Sequence, residues 1–261
     1  MIELEAVSKQ IAGRTILDRL SFCVGRGRVL AILGHNGAGK TSAIRLMTGL
    51  WKPSAGRVRV GGVEMAGQPE RGRRLLGVVP SEASLYESLT AWENIRLFSG
   101  YFGDAGRAES RARALMADLG IDGVMNRPAG QLSKGMKQKV AIVRALAHKP
   151  EVLILDEPTT GLDIGATDAL ERLIAAHHQA GGTIVLCTHD MHQALRLADQ
   201  VLVLAGGRGC WQGTRQEIPT ADWLANLVLR AGREGGITSG ALDQLAAMAG
   251  GAAASTAADL P

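Results

Sequence analysis

The chain has 261 residues, 46% hydrophobic and 21% charged, which is enough to bury a globular core. Its formal net charge of +4 suits an anionic ligand, a membrane surface or nucleic acid without choosing among them. No apolar run reaches the roughly 18 to 20 residues of a membrane span, residues 1–5 do not resemble a secretory signal, and three widely spaced cysteines favour a reduced, cytosolic protein.

The N-terminal region contains short stretches that predict a small antiparallel sheet. Residues 2–7 alternate between apolar and polar side chains, and residues 20–24 are mostly apolar. Residues 57–62 alternate in the same way and are expected to join the sheet.

An apolar run at residues 29–33 leads into a sequence that fits the P-loop pattern G-x-x-x-x-G-K-[ST]. Glycines in such a loop let backbone N–H groups surround phosphate oxygens, and a helix N-terminus follows. Lys40 would reach the outer phosphates, and the Thr41 hydroxyl would bind Mg²⁺. The predicted ATP-binding residues are Gly34, His35, Asn36, Gly37, Ala38, Gly39, Lys40, Thr41 and Ser42.

Four apolar runs do not alternate, which is typical of strands buried on both faces of a parallel sheet. They are residues 29–33, 152–155, 184–187 and 201–204. We therefore predict an α/β fold, a P-loop NTPase core with a mainly parallel sheet beside the small antiparallel β subdomain.

Residues from about 85 to 130 carry few strand signals and predict a helical subdomain. A capping box at residues 90–93 would start one helix, and residues 107–119 would form another. A further capping box at residues 214–217 predicts a helix that ends near Arg230. The Gly- and Ala-rich residues 231–261 predict a flexible tail with at most a weak helix at 241–248.

Polar side chains follow two of the predicted buried strands. Asp156 and Glu157 end the strand that starts after Glu151, and His189 follows residues 184–187. Ligands of open α/β sheets bind beyond the carboxyl ends of the strands, where the P-loop also lies. Asp156 would hold Mg²⁺ through its water shell, and Glu157 would polarise the water that attacks the γ-phosphate.

In order, the motifs at residues 34–41, 132–136, 155–158, 161–163 and 188–190 resemble the nucleotide-binding subunits of ABC transporters, most closely the ABC-2 type exporters. The resemblance covers about residues 1–230. Its most specific element is the signature motif, which comprises Leu132, Ser133, Lys134, Gly135 and Met136.

The resemblance implies that two ATP-binding domains close head to tail, as a homodimer or with a different ATPase subunit. Ser133 and Gly135 of one copy would contact the γ-phosphate held by the other copy's P-loop, Asp163 would couple the two sites, and His189 would orient Glu157 and water. Hydrolysis, with Mg²⁺ as cofactor, would drive an integral membrane permease from the cytoplasmic face of the membrane. No nucleic-acid partner is implied.

The sequence departs from the family pattern at two places. Ile11 stands where an aromatic residue usually stacks on adenine, so the base contact should be weak. After the predicted strand at residues 75–80, Ser81 and Glu82 stand where a Gln usually touches Mg²⁺ and lies near the membrane partner. Ser81 is too short for that role, and Glu82 becomes a metal ligand only if the loop shifts by one residue; a simple strand-to-helix loop is the alternative.

Two other functions fit a chain of this family. One is a soluble ATPase that transports nothing, for example in iron-sulfur cluster assembly. The other is a nucleic-acid or ribosome ATPase, whose relatives carry long coiled-coil insertions or two such domains. Neither of those features is present in the sequence.

Overall fold

The computed structural model describes residues 1–102 and 105–234. These residues divide into two units. We call residues 1–73 and 185–234 the P-loop unit, and residues 74–102 and 105–184 the signature unit.

The strands, in chain order, are β1 Ile2–Ile11, β2 Arg14–Val24, β3 Val29–Leu33, β4 Ala55–Val60, β5 Val63–Glu64, β6 Leu76–Val79, β7 Val152–Asp156, β8 Thr183–Cys187, β9 Gln200–Ala205 and β10 Arg208–Thr214. The helices are α1 Lys40–Met47, α2 Pro69–Arg73, α3 Ala91–Tyr101, α4 Ala105–Asp118, α5 Lys134–Leu146, α6 Ile164–Gln179, α7 Met191–Leu197 and α8 Ala221–Glu234. None of the described helices is both long and apolar enough to cross a bilayer.

The predicted antiparallel sheet is confirmed, with strand order β2-β1-β4-β5. In β1 the buried side chains include Ile2, Leu4 and Val7, which gives the strand one apolar face. Ile2 pairs with Val24 of β2 on one side and with Val60 of β4 on the other. Strand β1 continues to Ile11, beyond its predicted end, because its pairing with β2 extends, across several register shifts, to Ile11 and Arg14.

The second sheet has six strands in the order β10-β9-β3-β8-β7-β6. Every residue of β3, β7 and β8 is buried, which explains why these sequences do not alternate. Strand β3 runs parallel to β9, and β6 runs parallel to β7, while β10 is antiparallel to β9. The predicted α/β fold with a mainly parallel sheet is confirmed.

The predicted helices of the signature unit are present. Thr90 and Glu93 form the capping box that begins α3, and α4 ends just before Gly120, which has a φ of 64°. Asn94 of α3 is fully buried, and its side chain accepts from Tyr86 N at 2.8 Å and donates to Tyr86 O at 3.0 Å. This side chain fixes the loop that precedes α3.

The C-terminal part of the P-loop unit differs from the expectation. Thr214 and Glu217 do form a capping box, but it opens a single 3₁₀ turn, because Pro219 interrupts the helix that was predicted there. Helix α8 begins after Thr220, whose hydroxyl accepts from Trp223 N at 3.1 Å, and continues through Glu234, past the predicted end at Arg230. The rest of the predicted tail, with its weak helix at 241–248, lies outside the described residues.

Candidate nucleotide-binding site

The P-loop connects the buried end of β3 to the first turn of α1. Gly39 caps α1 with a φ of 112°, a conformation that glycine adopts without strain. A Cβ at this position would also lie 2.8 Å from Leu17 Cδ2 of β2. The backbone conformation therefore favours glycine here, and a larger residue would also have to displace the end of the Leu17 side chain.

The Lys40 side chain is enclosed by the backbone of the P-loop. Its side chain is only 8% exposed, and Nζ donates to Gly34 O at 2.7 Å and, more weakly, to His35 O at 3.5 Å. Thr41 and Ser42 follow in the first turn of α1, with Thr41 exposed. A buried ammonium beside a helix N-terminus is the arrangement that attracts phosphate.

Among the remaining residues of the loop, Ala38 is fixed by hydrogen bonds and residues 35–37 are exposed to solvent. Ala38 is buried; its N–H donates to His35 O at 3.1 Å, and its carbonyl accepts from Gly207 N at 3.0 Å. His35, Asn36 and Gly37 are exposed, so this segment of backbone is accessible to a ligand.

His189 belongs to the same unit as the P-loop and follows β8 directly. Thr188 N donates to Ile32 O of β3 at 3.3 Å, which ties the histidine loop to the strand that carries the P-loop. The Asp190 side chain accepts from Gln193 N at 3.0 Å and caps α7. His189 is therefore an exposed side chain between two fixed neighbours.

Ile11 lies at the tip of the β1–β2 hairpin, where it pairs with Arg14 and is 41% exposed. It presents an aliphatic side chain and no ring to a ligand. Its predicted contact with adenine stays a prediction.

The two acids occupy the end of β7 in the signature unit. Asp156 is 4% exposed. Glu157 has a φ of 48°, in the left-handed region, and Thr160 N donates to its carbonyl oxygen at 3.1 Å. Such a conformation in a residue other than glycine costs on the order of 1–3 kcal/mol and is often found at functional sites.

The signature motif forms the start of α5. Ser133 is the N-cap, and its Oγ accepts from Met136 N at 3.2 Å, while Leu132 is buried. A Cβ on Gly135 would lie 2.7 Å from Gly161 O, so the helix packs directly on the loop that leads to α6. Lys134 is exposed, and its aliphatic chain lies beside Gly161.

Asp163 caps α6 by accepting from Ala166 N at 2.8 Å. This backbone hydrogen bond, followed by the positive charge of Lys139 with Nζ 3.6 Å away, lowers the pKa of Asp163. Asp163 therefore stays ionised at neutral pH and links α6 to α5.

Gln138, a buried residue of α5, belongs to none of the predicted sequence motifs. Its Nε2 donates to Pro80 O at 3.1 Å and to Pro158 O at 3.4 Å. The sequence does contain a signal for this residue. Gln138 shares the i, i+3, i+4, i+7 spacing of Ala141, Ile142 and Ala145, so it is a polar residue at a helix position that is expected to be buried.

Ser81 and Glu82 lie in the loop that follows β6. Side chains of α5 bond to this loop a few residues after Glu82. Arg144 Nη1 donates to Ser84 O at 2.7 Å, and Lys137 Nζ lies 3.0 Å from Glu87 Oε1. Glu82 is exposed and makes no hydrogen bond or ion pair within the described part of the chain. Its role as a metal ligand stays a prediction.

The candidate Mg²⁺ ligands are the Thr41 hydroxyl and the Asp156 carboxylate, which belong to different units. Both offer the hard oxygen donors that Mg²⁺ prefers. Across residues 1–102 and 105–234, no group of three or more His, Cys, Asp or Glu side chains could hold a metal by itself. Either oxygen by itself suits Mg²⁺ that arrives with nucleotide phosphates, since such ions use one or two side chains and keep several waters.

Comparison with known proteins places these motifs in one family. A family profile described as "ABC transporter" matches residues 17–160. The Nod factor export ATP-binding protein I of Ralstonia nicotianae is 36% identical over 223 residues, which is 85% of this chain and 70% of that protein.

Two solved structures are also similar. One, an ATP-binding subunit of an ABC transporter, has a TM-score of 0.80 and 32% identity, and the match covers 95% of this chain and 99% of that one. The other is a dimeric ATP-binding cassette in a post-hydrolysis state with ADP and Pi, with a TM-score of 0.76, 26% identity, and coverage of 82% and 99%.

The family profile and the relatives extend over most of the chain. The chain therefore belongs to the ABC transporter family, as an ATP-hydrolysing nucleotide-binding subunit.

Proposed function

We propose that this subunit drives export through a separate integral membrane protein and docks on it from the cytoplasmic face of the membrane. The observation that carries the proposal is an exposed apolar patch on the signature unit, which we call the α3 patch. It consists of Tyr86, Leu97, Phe98 and Tyr101, which are 57%, 51%, 36% and 50% exposed.

The α3 patch is suited to docking because three of its four exposed apolar side chains lie on one helix. Leu97, Phe98 and Tyr101 lie within one turn of α3, and exposed clusters of this kind mark interaction surfaces. The Arg144 guanidinium stacks on the Phe98 ring at 4.4 Å and also holds the loop that contains Ser81 and Glu82. A partner bound at the α3 patch would therefore be connected to that loop through Arg144.

The proposed reaction is Mg²⁺-dependent hydrolysis of ATP in a dimer. Lys40 binds the outer phosphates, Glu157 takes a proton from the attacking water, and His189 orients that water. Thr41 and Asp156 would hold Mg²⁺, whose charge would offset that of the phosphates. Ser133 and Gly135 of a second copy complete the site, and the dimeric relative supports this arrangement.

Export is favoured over the soluble alternative by the similarity to the Nod factor export ATP-binding protein I. The pocket that selects the transported substrate belongs to the membrane subunit. The permease pairs with either two copies of this chain or one copy and a second ATPase.

Leu97→Glu is expected to weaken co-purification with the membrane partner about 10- to 100-fold, since burying a leucine is worth roughly 1.5–3 kcal/mol. ATP hydrolysis by the detached subunit should be unchanged. Pull-down from native membranes with mass spectrometry measures the first quantity, and phosphate release measures the second. Leu229→Glu, at a 59% exposed position on α8, is the matched control. Equal recovery of the partner by both variants would contradict the docking proposal.

Ile11→Tyr is expected to tighten ATP binding and to sharpen its discrimination from GTP. Base stacking contributes about 1–3 kcal/mol, so the dissociation constant for ATP should fall by roughly 5- to 150-fold. Fluorescence titration with both nucleotides measures this change. Leu50→Tyr, at a position 67% exposed in the same unit, should have no effect. Unchanged constants for Ile11→Tyr would show that Ile11 does not lie at the base.

A further inference from the structure

We propose that Gln138 is a positioning residue for Glu157 and that it connects the signature helix α5 to two loops of the hydrolytic site. The inference rests on the proposed role of Glu157 as the base. Gln138 is 2% exposed and lies within the signature unit, as do both loops that it contacts.

The carboxamide of Gln138 is fully specified by its surroundings. Nε2 carries two N–H groups, and it faces two carbonyl oxygens, Pro80 O at 3.1 Å and Pro158 O at 3.4 Å. The flipped amide would place Oε1 against those oxygens, which is unfavourable. The side chain therefore acts as a double donor that bridges two loops.

One of these bonds lies next to the candidate base. Pro158 follows Glu157, whose φ of 48° is left-handed, and a residue before proline already has a restricted backbone. Thr160 N holds the Glu157 carbonyl at 3.1 Å, and Gln138 holds the next carbonyl along the chain. Together they fix the direction in which the Glu157 side chain leaves the strand.

The other bond lies next to the loop that departs from the family pattern. Pro80 directly precedes Ser81 and Glu82. Neither Pro80 nor Pro158 has a backbone N–H, so a carbonyl bond is the main-chain hydrogen bond open to each. The same amide group therefore anchors both loops.

Because Gln138 lies on α5, its two hydrogen bonds can couple the signature motif to the two loops. Ser133 caps the same helix less than two turns away. A displacement of α5 when the signature meets a phosphate moves the Gln138 carboxamide, and with it the carbonyls of both loops. Occupancy at Ser133 is thereby transmitted to Glu157.

A residue that only filled space at this place would be apolar. Gln138 shares its stripe with Ala141, Ile142 and Ala145, and a buried amide is unfavourable unless it is hydrogen-bonded. Methionine has a similar length and would fill the volume without donating. The amide is therefore explained by the two bonds that it makes.

The test compares Gln138→Met with Gln138→Glu in the full-length chain. Gln138→Met should lower kcat about 10- to 100-fold and leave the KM for ATP unchanged, since small misplacements of catalytic groups cost this much and the P-loop lies in the other unit. Gln179→Met, at an exposed position in the signature unit, should leave kcat unchanged.

Gln138→Glu gives a pH-dependent readout. Burial and the two facing carbonyl oxygens should raise the pKa of the new carboxyl group, and its protonated form keeps one O–H donor. The kcat of this variant should be highest at low pH and fall as pH rises through that pKa. The wild-type protein and Gln138→Met should lack this step.

A wild-type kcat in Gln138→Met, or a wild-type pH profile in Gln138→Glu, would overturn the inference. If Gln138→Met does not fold, the pH profile of Gln138→Glu still decides. Failure of the proposed function looks different: Glu157→Gln would then retain turnover whatever residue occupies position 138.

Discussion

Glu157→Gln is expected to keep ATP binding and to lower ATP turnover by about 10² to 10⁴-fold, because the amide cannot accept the proton of the attacking water. Gln has nearly the same size as Glu and should tolerate the left-handed φ at this position equally well. The turn at the end of β7 should therefore be retained. Phosphate release under saturating ATP measures the turnover, and nucleotide titration measures the binding.

The matched control for this variant is Glu151→Gln, which removes a carboxylate just before the opposite end of β7. It should hydrolyse ATP at the wild-type rate. Turnover near the wild-type level in Glu157→Gln would exclude this residue as the base and would redirect attention to Asp156, Glu82 and His189.

Ser133→Arg is expected to abolish ATP hydrolysis while leaving ATP binding to the isolated chain unchanged. The substitution removes the hydroxyl that caps α5 and places a large side chain where the partner's phosphate is proposed to lie. Loss of an N-cap costs about 0.5–2 kcal/mol, which a folded domain tolerates. Ser133→Thr, which keeps a capping hydroxyl, is the control and should stay active.

Mixing variants tests whether the site is shared between two copies. Lys40→Ala disables the P-loop but keeps the signature motif, and Ser133→Arg does the reverse. A mixed dimer contains one site with both parts intact, so the mixture should regain part of the activity that each variant lacks alone. An inactive mixture that still dimerises, or an active Ser133→Arg homodimer, would argue against a site completed in trans.

Sequence patterns predicted the fold where the signal is local. The runs at residues 29–33 and 152–155 lack alternation because both faces of β3 and β7 are buried. The capping box at Thr90 identified the start of α3 because Thr90 and Glu93 are three residues apart and their side chains bond to each other's backbone N–H. The capping box at Thr214 gave a wrong helix start because Pro219 stops the helix two residues after Glu217.

The candidate site also has parts that local sequence predicts and parts that it does not. The P-loop, the acid pair and the signature motif could be read from consecutive residues, because the groups that bind phosphate or move protons must follow one another along a strand end or a helix start. Their family resemblance followed from the order of these motifs along the chain, and the comparisons agree with it.

Contacts between distant parts of the chain decided the rest. Gln138 bonds to carbonyl oxygens 58 and 20 residues away, and Gly135 is required by the approach of Gly161 O. Glu157 likewise adopts a left-handed conformation that residues other than glycine seldom adopt. The sequence by itself determined which chemical groups are available. Only the tertiary structure decided how α5 holds the loops that carry them, because a hydrogen-bond partner far along the chain leaves no pattern in neighbouring residues.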